Sequence, residues 1–142
     1  MLQRRIARAL RVKRLLFVCV ENSCRSQMAE AFARMHGKGN VEIYSAGSRP
    51  SGAVNAQAID SMREVGYDLS KHGSKSLNEI PNVEYDVVVT MGCGDECPAV
   101  RAKQREDWNL PDPKALPLSE FRRTRDLIES KVKEILQRLE RV

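Results

Sequence analysis

Cys19, Arg25 and Ser26 carry the clearest chemical spacing in this chain. The stretch from Phe17 to Glu30 reads FVCVENSCRSQMAE, a cysteine followed after five residues by an arginine and a serine. The apolar run before the cysteine predicts a strand, and the residues from Ser26 onward predict a helix. A loop entering a helix offers unpaired backbone N–H groups and the positive end of the helix dipole, and both favour an anion. The amides of Val20, Glu21, Asn22, Ser23, Cys24 and Arg25 can curl inward around one as a nest. The same field favours thiolate over thiol, which makes Cys19 a nucleophile at neutral pH. Arg25 can grip two oxygens of a tetrahedral oxyanion with its planar fork, and the Ser26 hydroxyl can donate to the Cys19 sulfur. The chemistry is attack of sulfur on a small oxyanion, which is then either hydrolysed or reduced.

Expelling an oxygen leaving group needs an acid. Asp112 is the candidate, held in a stiff loop between Pro111 and Pro113. Aspartate among prolines is ordinarily a turn former, and it gains catalytic meaning only in combination with Cys19 and Arg25. His36, at a helix end, and His72, in a polar loop, read as surface residues.

The four cysteines, Cys19, Cys24, Cys93 and Cys97, fall in two close pairs. The chain's opening lacks the apolar stretch of a secretory signal, so redox or catalytic use outweighs disulfide scaffolding. The C-x4-C and C-x3-C spacings lie within the broad range of zinc sites, but the first pair occupies a loop with another use.

Alternating elements must position these groups. RLLFVCV is apolar on both faces, as a central parallel strand is. A helix follows from Ser26 to His36, with Met28, Phe32 and Met35 on one stripe, Ala29 and Ala33 beside it, and Gly37 as its stop. VEIYSAG predicts a second strand. Residues 53–66 predict a helix with Ala58, Met62 and Val65 inward and Gly66 ending it. YDVVVTMG predicts a third strand, β-branched through Val87–Val89, and QREDWNL a fourth. PDPKALP is assigned to loop because of its prolines. From Leu118 onward, Phe121, Ile128, Val132, Ile135 and Leu139 mark a long amphipathic helix. Strands alternating with helices predict a single-domain α/β fold, an open parallel four-stranded sheet with helices on both faces. Ligands bind such sheets at the C-terminal edge of the strands, where Cys19 falls.

With 42% apolar and 30% charged residues in 142, one globular domain is expected. The net charge of +5 is local: six basic residues between Arg4 and Arg14, with no acid among them, leave the remainder at −1. Residues 1–13 therefore read as a basic N-terminal extension and 14–142 as the domain. No basic patch is interleaved with aromatics, so nucleic acid is not expected as a partner. No run approaches the roughly 18 apolar residues of a membrane span.

The segments CVENSCRSQMAEAFAR, YSAG, VGYDLS, VVVTMGCGDECP and PDP together resemble the low-molecular-weight protein tyrosine phosphatases and the arsenate reductases built on the same fold. The resemblance covers residues from about 14 to the C-terminus, and NSCRSQMAE with the cysteine-bearing segment resembles the reductase branch. It implies a relay: Cys19 attacks arsenate held by residues 20–25, Asp112 protonates the departing hydroxide, Cys93 attacks Cys19, and Cys97 attacks Cys93. The disulfide left on Cys93 and Cys97 would be reduced by thioredoxin, or by glutaredoxin with glutathione. Only three residues separate these two cysteines, fewer than in the thioredoxin-coupled members. One helical turn would set their α-carbons about 6 Å apart, within disulfide range. The resemblance further implies a potassium ion on Asn22, Glu30, Ser45 and Asp68, oxygen ligands suited to a hard cation, and no organic cofactor. A cytoplasmic monomer is expected. The alternative is a phosphatase working through a cysteinyl-phosphate. Against a phosphotyrosine substrate, Lys114 stands where the phosphatases carry an aromatic residue.

Overall fold

The computed structural model describes residues 12–92 and 100–140. Four strands, β1 (Lys13–Cys19), β2 (Val41–Gly47), β3 (Tyr85–Thr90) and β4 (Ala102–Asp107), form one sheet in the order β2-β1-β3-β4. All pairings are parallel. Cys19 pairs with Gly47 and Val18 with Thr90, so the strand ends meet at one edge. The chain passes from β1 to β2 on one side and returns to β3 on the other. The loop after β1 therefore lies at the point where the winding reverses, where such sheets bind ligands.

Three α-helices accompany the sheet among the described residues: α1 (Arg25–His36), α2 (Ala56–Glu64) and α3 (Leu118–Glu140). Alternation in β1 decides the layers. Leu15, Phe17 and Cys19 face the larger core, with Met28 and Phe32 of α1, Met62 of α2, and Phe121, Ile128 and Val132 of α3. Leu16 and Val18 face the opposite side, where Leu77 of the 3₁₀ helix Leu77–Glu79 packs with Ile80, Val83 and Val100. Each face is thus covered by helix, long on one side and a single turn on the other. β4 closes the sheet as an edge rich in exposed charge, which discourages further strand pairing.

The element boundaries differ from the periodic pattern in instructive places. Lys13 belongs to β1, buried and paired with Val41, rather than to the preceding basic segment. Helix α2 spans Ala56–Glu64 because the Asn55 side chain caps it at Ala58 N, 3.1 Å away, and Gly66 turns out of it at φ 89°. Met35 points to solvent, off the buried stripe. The proline-rich stretch is not all loop. Asp112 caps a 3₁₀ turn over Pro113–Ala115, since a proline at the first helical position sacrifices no needed donor.

Candidate active site

The loop between β1 and α1 is held open from outside. Each carbonyl from Val20 to Cys24 is bonded outward: Val20 O to Arg49 N, Glu21 O to Ser51 N, Ser23 O to Asn55 N and Cys24 O to Met28 N, all at 2.8–3.0 Å, while Asn22 O accepts from Gln27 Nε2 at 3.0 Å. With the carbonyls turned away, the amides are left facing the enclosed space, the nest that an oxyanion requires. The loop passes close over the end of β2. A Cβ on Gly47 would lie 2.5 Å from Val20 O and 2.9 Å from both Asn22 N and Cys19 O, so only glycine fits. Asn22 takes a left-handed turn at φ 48°, a conformation that asparagine tolerates.

Cys19 and Ser26 are brought together as expected, with sulfur and hydroxyl oxygen 2.8 Å apart. Asn22 Nδ2 donates to the same hydroxyl at 2.8 Å, which leaves the single Ser26 hydrogen free to donate to sulfur. The Ser23 hydroxyl is buried without a partner among the described residues and lies at the cavity wall, a further donor for an oxyanion. Arg25 is anchored by Nη1 to Leu110 O at 2.8 Å, which ties the anion loop to the segment that carries Asp112.

A cavity of about 590 Å³ opens over the sulfur, lined by Cys19, Ser23, Cys24, Arg25 and Asp112. Arg49 and Lys114 add two more cations to its wall, and an ion pair from Lys114 to Glu21 joins the acid's turn to the anion loop. Among the described residues, no aromatic side chain lines the cavity. Arg49 went unnoticed in the sequence, although its place two residues past β2, at the ligand edge, was a signal for it. Cys24 faces the cavity as a neutral group: burial, reinforced by the charges of Asp112 and Cys19, pushes its thiol up to about 12.

Cys93 and Cys97 lie outside the described residues. The chain leading to them is described. Met91 N donates to Val18 O at 3.0 Å, and Gly92 follows at φ 74° with its N–H on Asp107 Oδ1 at 3.0 Å. A Cβ on Gly92 would stand 3.7 Å from Arg25 Nη1, so β3 delivers the chain to the arginine of the site one residue before Cys93.

Beneath the loop lies a polar core that includes His72, which the sequence reading assigned to the surface. Glu30 is buried. Burial opposes its charge, but hydrogen bonds from Ser45 and Arg34 and the charge of Lys75 hold its carboxyl below the usual range. His72 is likewise interior: its side chain bonds Tyr67 Oη at 2.6 Å and Gln27 Oε1 at 3.0 Å. Gln27 Nε2 is spent on Asn22 and on Gly73 O, so Gln27 Oε1 accepts from His72 Nδ1 and the other ring nitrogen accepts from Tyr67. That is the neutral tautomer, and burial pushes the imidazole below its ordinary value despite the pull of Glu30. His36 is half-buried, 2.8 Å from Glu129 and stacked on Phe32.

The oxygens expected to hold potassium do not make one donor set. Asn22 Oδ1 accepts from Gln27 Nε2 at 2.9 Å and from Lys75 N at 2.8 Å. Ser45 Oγ accepts from Asn22 and donates to Glu30. The exposed Asp68 turns its carboxylate onto Ser70. Two cations already stand beside Glu30, the Lys75 ammonium at 3.4 Å and the Arg34 guanidinium at 2.8 Å. A potassium ion does not fit this arrangement.

A parallel α/β sheet that presents a cysteine inside an anion-binding loop, with an acid and an arginine from later loops, defines a thiol-dependent oxyanion enzyme. Residues 14–142 match the low molecular weight phosphotyrosine protein phosphatase model, and the chain belongs to that family. It is similar to a glutaredoxin arsenate reductase of Synechocystis, at 38% identity over 90% of this chain and 99% of that protein. Among solved structures it is similar to an arsenate reductase in the phosphate-binding state, with a TM-score of 0.81 at 38% identity, covering 89% of this chain and 98% of the other. A thioredoxin-dependent arsenate reductase of Corynebacterium glutamicum superposes with a TM-score of 0.73 at 29% identity, over 97% of this chain and 70% of the other.

Proposed function

We propose that this chain reduces arsenate to arsenite. Arsenate sits among the amides of residues 20–25 and the Arg25 guanidinium. Cys19 forms a sulfur–arsenic bond while Asp112 protonates the departing hydroxide. Cys93 then attacks the Cys19 sulfur, and the sulfur–arsenic electron pair stays on arsenic, which leaves as arsenite. Cys97 displaces Cys19 from the resulting disulfide. The two electrons that arsenic gains thus come from two thiols, which end as a Cys93–Cys97 disulfide for thioredoxin, or for glutaredoxin with glutathione, to reduce.

The observation that carries this reading is the path of β3, which brings Gly92 against Arg25 immediately before Cys93. The named reductases among its relatives support the same chemistry. Phosphate-ester hydrolysis is the second reading, favoured by the relative solved with phosphate bound. The cationic, aromatic-free cavity weighs against an aryl ester. The relay is complete within one chain, in keeping with a monomer, and its resting thiols suit the reducing cytoplasm.

The test is NADPH consumption with arsenate, thioredoxin and thioredoxin reductase, run on the wild type, Cys93→Ser and Cys97→Ser. Turnover in the wild type and its loss in both variants is expected. A glutaredoxin and glutathione arm reads the reductant. Silence in both arms, with p-nitrophenyl phosphate hydrolysed independently of Cys93, would replace reduction by phosphatase activity.

A further inference from the structure

The anion loop rests on a buried chain of hydrogen bonds that ends on a charge. Cys19 Sγ meets Ser26 Oγ at 2.8 Å, Ser26 accepts from Asn22 Nδ2 at 2.8 Å, and Asn22 Nδ2 also donates to Ser45 Oγ at 3.0 Å. Ser45 donates in turn to Glu30 Oε1 at 2.5 Å. All five residues are buried. A carboxylate at the end of such a chain needs a positive partner, because a buried charge without one is costly.

Lys75 supplies one and also braces the chain through its backbone. Its Nζ stands 3.4 Å from Glu30 Oε1 and donates to Gly73 O at 2.9 Å, while its backbone N–H donates to Asn22 Oδ1 at 2.8 Å. One residue therefore holds the carboxylate end of the chain by its side chain and the asparagine by its main chain. The other Glu30 oxygen is covered separately by Arg34 Nε at 2.8 Å, from a side chain that is largely exposed.

We propose that the Lys75 ammonium is the built-in monovalent cation of this fold, a positioning residue that sets the anion loop through Glu30, Ser45 and Asn22 and makes the protein indifferent to potassium. An oxygen-liganded potassium ion and a lysine ammonium carry the same single charge, and here the covalently tethered one sits beside the carboxylate.

The test needs no substrate, so its outcome is independent of whether the site turns over arsenate or a phosphate ester. Melting temperature and the rate of Cys19 alkylation by iodoacetamide are measured in potassium chloride and in sodium chloride at equal ionic strength. Wild type gives equal values in the two salts. Lys75→Met, which keeps the aliphatic stem and loses the charge, melts roughly 3–6 °C lower in sodium and is alkylated several-fold more slowly. Both losses recover in potassium but not in sodium, and Lys75→Arg keeps wild-type behaviour. Preference of the wild type for potassium overturns the proposal, and that arm decides even if Lys75→Met does not fold. Wild-type values for Lys75→Met in both salts overturn it as well.

Discussion

Replacing Ser26 by alanine removes one oxygen from beside Cys19 and almost nothing else. The contact is 2.8 Å long and enclosed, with Ser26 fully buried and Cys19 5% exposed, so no water takes the vacated place. A hydrogen bond to a charged acceptor is worth about 1.5–3 kcal/mol. Losing it costs the charged sulfur that stabilisation, worth a factor of roughly 10 to 150 in equilibrium terms. The remaining thiolate is the stronger nucleophile, with a sensitivity of about 0.4–0.5, which returns about half of the loss on a logarithmic scale. The net expectation is a fall of roughly 4- to 12-fold in the second-order rate of iodoacetamide alkylation at neutral pH, read by mass spectrometry at Cys19. One Asn22 N–H is also left without its acceptor, at a cost of about 1–3 kcal/mol, while the bond to Ser45 remains. A variant that melts lower yet alkylates within twofold of wild type would show that the hydroxyl only packs the loop, and would refute the reasoning.

Two further expectations follow from the same geometry. The folded-state values of His72 and Glu30 are both depressed, so acid favours the unfolded chain at each. Stability should fall as pH drops below 6.5, the ordinary histidine value, and again below 4.5, the ordinary value for glutamate. Urea unfolding across that range checks it, and His72→Gln should flatten the upper limb; an unchanged slope there would remove His72 from the account. Gly47→Ala should push the loop off β2 at a cost of about 1–3 kcal/mol. Inorganic phosphate should raise the melting temperature of the wild type and leave that of Gly47→Ala unchanged, and a variant still stabilised by phosphate would show that the loop tolerates the methyl.

The strands and helices were legible because their signals are local. The β-branched run of β3 and the stripe of α3 fix their own character, and the spacing from Cys19 to Ser26 fixes a nucleophile beside a helix start. What could not be read depends on distant partners. His72 and Lys75 sit in a polar stretch that resembles any exposed loop, and Gln27 differs in nothing from a solvent-facing helix residue. They are drawn inward, Gln27 fully, His72 nearly so and Lys75 in part, because the chain returns to Asn22 after some fifty residues, with Lys75 N on Asn22 Oδ1 and Gln27 on Gly73 O. Nor does periodicity reveal which oxygens a buried carboxylate shares, so a cation set read from the resemblance included Asp68, which the fold ties to Ser70.

The anchoring of the anion loop also has a consequence for how the protein is made. The cysteine is synthesised before the groups that shape its surroundings, whose bonds come from much later in the chain: Gly73 O is 46 residues beyond Gln27, Lys75 N is 53 beyond Asn22, and Leu110 O is 85 beyond Arg25. Contacts of such long range form late, after the cost of closing the intervening loops has been met. Until then Cys19 lacks its nest and its arginine clamp, and it is an ordinary thiol on a growing chain. On the proposed relay, reactivity arrives with the last strands, when Asp112, the anchor of Arg25 and the segment carrying Cys93 and Cys97 exist to use it.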